Sequence, residues 1–142
     1  MNRVLITGSS GFIGQKLISA IDKKKYSIHV ISRNMEPGLE TTICDFQSDL
    51  IPDDVMNGTD IVFHLAGVAH DSTMHYEEYF QINVNASSRL AELAATSGVK
   101  RFVFISSVKS GGIGDNGLCI TELEQVEPEG AYGKTKRKAE LN

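Results

Sequence analysis

Thr7-Gly8-Ser9-Ser10-Gly11-Phe12-Ile13-Gly14 lies between two segments of different periodicity. Before it, Arg3-Val4-Leu5-Ile6-Thr7 is a short continuous apolar run, the pattern of a strand buried on both faces. After it, Phe12, Ile13, Leu17, Ile18 and Ile21 recur at helical spacing, with Gln15, Lys16 and the lysines from 23 to 25 on other faces. A strand that breaks into three glycines and resumes as a helix is a phosphate-binding turn. Gly8 permits the sharp turn. Gly11 leaves room for a pyrophosphate against the backbone, beside Ser10. Gly14 lets the helix pack closely. The helix N-terminus offers free N–H groups and the positive end of its dipole. The spacing is GxxGxxG, not the commoner GxGxxG, so the strand and helix around it carry the reading.

Working outward, Ile28 to Ile31 reads as a second strand and Thr41 to Cys44 as a short third. Ile61 to Leu65 is a fourth, entered from Asn57-Gly58-Thr59-Asp60, and Arg101 to Ser106 a fifth. A long helix is predicted from Tyr76 to Thr96, stopping near Gly98, and a last one from Ala131 to the end. Apolar strands alternating with helices predict an α/β fold: a Rossmann-type, doubly wound parallel sheet in three α/β/α layers. The stretch from Ser110 to Gly130 is glycine-rich and acidic, and reads as a surface loop that shapes a site.

The bulk properties narrow the function. The 142 residues are 41% hydrophobic and 23% charged, enough for one domain with one core. A net charge of -4 gives no footprint for nucleic acid or an anionic membrane. No apolar run is long enough to cross a bilayer, and the N-terminal one stops at Gly8, unlike a secretory leader. Cys44 and Cys119 form no CxxC pair, so they read as free thiols in a reducing, cytoplasmic compartment. His70, Asp71 and His75 lie close in sequence but lack a fixed ligand geometry, so no metal is expected. They read as a loop at the mouth of a site.

The second strand ends Ile31-Ser32-Arg33-Asn34, with no acid until Glu36. An acid there would hold the ribose 2′-hydroxyl, whereas an arginine accommodates a 2′-phosphate. Arg33 therefore favours NADP as the form of NAD(P), with NAD left open. Farther on, Tyr132-Gly133-Lys134-Thr135-Lys136 opens the last helix and puts Tyr132 and Lys136 on one face. An ammonium beside a phenol stabilises the phenolate, so tyrosine can act as acid or base near neutral pH. Ser106 and Ser107 end the fifth strand, where open α/β sheets bind ligands. A hydroxyl there can hold a reacting oxygen in line with the tyrosine.

Taken together, the chain resembles the extended short-chain dehydrogenase/reductase family, in particular the NAD(P)-dependent nucleotide-sugar epimerases and dehydratases and most nearly UDP-sugar 4-epimerases. The resemblance rests on Thr7-Gly8-x-x-Gly11-Phe12-Ile13-Gly14, Asp45, His64-Leu65-Ala66-Gly67, Asn83-Val84, Phe104-Ile105-Ser106-Ser107 and Tyr132-x-x-x-Lys136. It implies that Asp45 and Phe46 lie beside the adenine. It implies that Leu65, Ala66 and Gly67 line the cofactor groove, and that Asn83 sits near the nicotinamide half. Ser107 would orient the substrate. Tyr132 would be the acid/base, with Lys136 binding the nicotinamide ribose and tuning the tyrosine. Where the 4,6-dehydratases carry an Asp-Glu pair after a threonine, this chain has Val108-Lys109, which disfavours dehydration.

The expected reaction is epimerisation, or a related reduction, of a nucleotide sugar in polysaccharide biosynthesis, with a UDP-sugar as substrate. Tyr132 would take a proton from the sugar 4-hydroxyl as hydride leaves, and a rotated keto sugar would receive the hydride back on its other face. The resemblance also implies a homodimer through the helices near 76–96 and 131–142. Members of the family continue past the tyrosine helix, so residues 1–142 are expected to be the Rossmann domain without the last strands and the C-terminal substrate domain. The alternatives are a non-catalytic NADP(H)-binding module and an inactive fragment.

Overall fold

The computed structural model describes residues 1–69, 73–112, 121, 123 and 126–142. Two compact units emerge: Met1–Gly67 with Arg89–Ile105, and Val68–Ser88 with Ser106–Asn142.

The first unit holds the sheet. Five strands, β1 (Asn2–Thr7), β2 (Tyr26–Ser32), β3 (Glu40–Ile43), β4 (Ile61–His64) and β5 (Arg101–Phe104), run in the order β3-β2-β1-β4-β5. Every pairing is parallel, with Val4 beside Ile28 and Ile61, and Thr7 beside Ile31 and His64. The order reverses between β1 and β4. That switch point is where open parallel sheets bind ligands, beyond the strands' carboxyl ends. This is the Rossmann-type sheet expected from the apolar runs.

Helix α1 (Phe12–Ala20) covers one face: Leu17, Ile18 and Ile21 pack against buried Val4, Ile6 and Val30. Leu5 and Ile31 alternate to the opposite face and are buried as well, so both faces are covered. The helical spacing extends to Phe12 and Ile13, yet these remain 81% and 53% exposed. They occupy the first turn of α1, ahead of the residues that reach the β1–β2 core.

The long helix is not regular. α2 (Tyr76–Phe80) passes into a π-helical segment, Gln81–Asn85, and then α3 (Ala86–Thr96). A π segment inserts one residue's worth of extra turn and rotates the helix beyond it, a device common at functional sites. The second unit contains α2, this segment, the start of α3, a 3-10 turn at Val108–Gly111, and α4 (Gly130–Leu141). The fifth strand ends at Phe104, before the two serines: Ile105 N–H still donates to the His64 carbonyl at 3.1 Å, and a 3-10 turn begins at Val108. Most of the glycine-rich stretch from Ser110 to Gly130 lies outside the described residues, with Cys119, His70 and Asp71.

Candidate functional site

In the first unit, the glycines are set by close backbone contacts. Gly8 has φ +73°, and a Cβ there would lie 2.7 Å from the Ala66 nitrogen. A Cβ on Gly14 would lie 2.2 Å from the Gly8 carbonyl oxygen, so α1 begins directly against the turn. A Cβ on Gly11 would meet only the Gly8 oxygen, at 3.3 Å. Gly11 is the N-cap of α1, with no side-chain cap and no acid in the first turn. The helix thus keeps its amide end free of competing anions, with exposed Gly11, Phe12 and Ile13 around it. These residues fit a dinucleotide's pyrophosphate.

Ser9 and Ser10 differ. Ser10 is exposed, and its carbonyl accepts from Gln15 Nε2 at 2.9 Å. Ser9 is buried, and its hydroxyl donates to Glu36 Oε1 at 3.0 Å. Ser32 Oγ donates to the same oxygen at 3.4 Å. Glu36, in the sequence only the first acid after the second strand, therefore ties the end of β2 to the glycine turn. Its position 22 residues after Gly14 was the available signal. Arg33 is exposed and forms no ion pair with another described residue.

Beyond β4, Leu65 and Ala66 lie against that turn, with Gly67 next in the chain. The Leu65 N–H donates to the Thr7 carbonyl at 3.2 Å, and the Ala66 N–H to Thr7 Oγ1 at 3.1 Å. Asp45 sits in a turn after β3, where its carboxylate accepts from the Gln47 N–H at 3.0 Å. Phe46 is buried, its ring edge-on to His64 with centroids 6.2 Å apart. Cys44 is buried, and that burial, reinforced by Asp49 and Asp45, pushes its thiol pKa up.

The second unit gathers the acid–base candidates. α4 runs so close to the Val108–Gly111 turn that a Cβ on Gly133 would lie 2.7 Å from the Lys109 carbonyl oxygen. The glycine after Tyr132 is thus what lets the tyrosine helix approach the turn beginning at Ser107. Ser107 caps that turn, its hydroxyl accepting from the Lys109 N–H at 3.2 Å. Ser106 Oγ donates to Glu140 Oε1, which also accepts from Ser110 Oγ at 2.7 Å. Glu140, missed in the sequence, fastens the serine turn to α4 one helical turn beyond Lys136.

Lys136 is 4% exposed. Burial pulls its pKa down to about 8, opposed by the Glu140 carboxylate. Tyr132, four residues earlier, is half-buried on the same helix face. Asn83, in the π segment, is also buried. Its amide donates to the Val68 carbonyl and to Thr135 Oγ1, both at 3.0 Å, and its oxygen accepts the Val68 N–H at 2.8 Å. Asn83 thus clamps the start of this unit to α4. His75 forms a capping box with Glu78 at the start of α2. Among the described residues, no cluster of His, Cys, Asp and Glu could hold a metal, and no helix is long and apolar enough to cross a membrane.

The arrangement has clear relatives. A UDP-glucose 4-epimerase of Vibrio cholerae is 34% identical over 146 residues, covering 96% of this chain and 44% of that protein. A decarboxylating sterol-4-alpha-carboxylate 3-dehydrogenase of Dictyostelium discoideum is 26% identical, covering 96% and 45%. The solved structure of MoeE5 in complex with UDP-glucose and NAD matches with a TM-score of 0.85 at 32% identity, over 99% of this chain and 47% of that one. The chain spans about half the length of the curated relatives it matches. The model of the NAD dependent epimerase/dehydratase family matches residues 4–141, and with the parallel sheet, the glycine turn and the Tyr132–Lys136 helix in place, the chain belongs to that family.

Proposed function

We propose that residues 1–142 are the NAD(P)-binding Rossmann domain of a cytoplasmic nucleotide-sugar epimerase, or a related reductase, acting on a UDP-sugar. The observation that carries this is Lys136: a lysine 4% exposed, one turn from Tyr132, with its pKa lowered to about 8. Surface lysines are solvated, whereas burying an ammonium costs stability. Its retention is accounted for by the phenol it serves.

Gly8, Ser10, Gly11, Phe12, Ile13 and Gly14 would hold the pyrophosphate, with Asp45 and Phe46 at the adenine and Leu65, Ala66 and Gly67 along the groove. When bound, the nicotinamide would supply a reversible acceptor for the hydride of the sugar's 4-position. Lys136 would hold the nicotinamide ribose and, while charged, stabilise the Tyr132 phenolate. Tyr132 would take the proton from the 4-hydroxyl and return it to the same oxygen after the sugar has turned. Ser107 would hold that oxygen in line, and Ser106 would keep the turn in place through Glu140. Asn83 supports the nicotinamide half through its clamp on α4. The grip on the sugar would come from chain outside these residues, a reading supported by relatives of twice the length.

Arg33, exposed at the end of β2, favours the 2′-phosphate of NADP. Arg33→Ala is expected to weaken NADPH about tenfold while leaving NADH binding unchanged, read by calorimetric titration of each. Exposed Tyr76 on α2 and Leu141 on α4 support a homodimer through the helices near 76–96 and 131–142. Tyr132→Phe tests the reaction itself: turnover of UDP-sugars in the protein containing this domain should vanish with dinucleotide affinity intact. Undiminished turnover would remove tyrosine from the mechanism. A wild-type protein that binds NADPH but turns over no sugar nucleotide would point to a non-catalytic module.

A further inference from the structure

We propose that His64 is a positioning residue for the dinucleotide groove: it orients the Thr7 hydroxyl so that Thr7 accepts the Ala66 N–H and holds the strand β4 exit against the glycine turn. The proposal rests on the cofactor reading of that turn.

Thr7 and His64 are neighbours across β1 and β4, and both are fully buried. Thr7 Oγ1 lies 2.6 Å from His64 Nδ1 and 3.1 Å from the Ala66 nitrogen. A hydroxyl has one proton to give. The Ala66 N–H occupies one of the oxygen's two lone pairs, and in the proposed relay the hydroxyl's single proton goes to His64 Nδ1, 2.6 Å away. Nδ1 is then the acceptor and the ring proton sits on Nε2. The chain of bonds runs Ala66 N–H to Thr7 Oγ1, and Thr7 O–H to His64 Nδ1. The ring is confined by Phe104, Phe46 and Phe102, with centroids 5.7, 6.2 and 6.2 Å away.

Beyond its packing among three phenylalanines, the histidine supplies a directional acceptor that a leucine would lack. With that acceptor removed, the Thr7 hydroxyl loses the restraint that aims its lone pair at the Ala66 amide. The tolerance for movement there is small. Ala66 N and Leu65 C already stand 2.7 and 2.9 Å from where a Cβ on Gly8 would be. A shift of the Leu65–Gly67 backbone by a few tenths of an ångström therefore changes the wall of the groove.

The test combines ring NMR with dinucleotide titration of the 142-residue chain. Long-range nitrogen–proton correlation on His64 is expected to show a bare Nδ1 and a protonated Nε2. In Thr7→Val the Ala66 amide should exchange faster and dinucleotide affinity fall roughly tenfold, the loss expected for a buried donor left unpaired. Thr7→Ser should restore both. His64→Asn, whose side-chain oxygen can take the place of Nδ1, should bind more tightly than His64→Leu. A protonated Nδ1 in the wild type overturns the proposal even if no variant folds, as does equal affinity of Thr7→Val and Thr7→Ser. A wild-type chain that binds neither dinucleotide refutes the cofactor reading instead, and the ring tautomer with Ala66 exchange still decides the hydrogen-bond relay.

Discussion

Lys136 and Glu140 show how a single turn of helix sets chemistry. Burial lowers the lysine pKa to about 8 and the carboxylate raises it. The ammonium is therefore present below pH 8 and lost above it, so turnover that needs the charge should decline through that pH. Glu140→Gln keeps an oxygen for Ser106 and Ser110 but removes the charge. The descending limb of the pH–rate profile should then move to lower pH; a limb that stays where it is would contradict the coupling. Gly14 is a second residue with a sharp outcome. Gly14→Ala places a Cβ 2.2 Å from a backbone carbonyl, where neither partner can rotate away. It should cost about 1–3 kcal/mol of stability in urea unfolding and strongly weaken dinucleotide binding. At this scale the glycines were legible, because only a backbone constraint explains three of them between a strand and a helix. The partners of Glu36, Glu140 and Thr7 were not, since they lie 27, 34 and 59 residues away.

At the level of elements, four strands were legible because apolar runs bounded by polar residues leave little choice, and β3 because Thr41, Thr42 and Ile43 are β-branched; the errors lie at their ends. The fifth strand gives way to a 3-10 turn at the serines, and no periodicity marks that change. The π segment was equally hidden. It carries Asn83, whose partners Val68 and Thr135 lie 15 and 52 residues away and leave no local mark in the sequence. The opposite end of the sheet carries its own polar assembly. Arg3 reaches His29 Nδ1 at 3.2 Å and Glu40 at 2.6 Å, and Thr42 Oγ1 stands 2.8 Å from His29 Nε2. Arginine can only donate, so Nδ1 accepts, and Nε2–H donates to Thr42. Burial lowers the His29 pKa, with Arg3 adding to the effect and Glu40 opposing it. The neutral ring is favoured in the fold, so its stabilisation is complete above the ordinary histidine pKa near 6.5. It is lost as pH falls from there toward the lowered folded value. Thermal midpoints measured between pH 7 and 5 should fall, and fall less in His29→Gln.

Over the whole molecule, the two units divide the work by chemistry. Met1–Gly67 with Arg89–Ile105 carries the sheet, the glycine turn and Leu65–Gly67; Val68–Ser88 with Ser106–Asn142 carries Asn83, the serine turn and the Tyr132–Lys136 helix. The fold class could be read from order and periodicity, and family membership from motifs in sequence order. The proposed sugar specificity could not, because no residue among the described ones is identified by its chemistry as reading a hexose. Every functional role proposed for these residues depends on the glycine turn binding a dinucleotide, and calorimetric titration of NADPH and NADH into the 142-residue chain decides that point. Saturable one-to-one binding with a micromolar Kd, weakened strongly in Gly14→Ala, is the expected result; a folded chain that takes up neither dinucleotide at millimolar concentration would refute it.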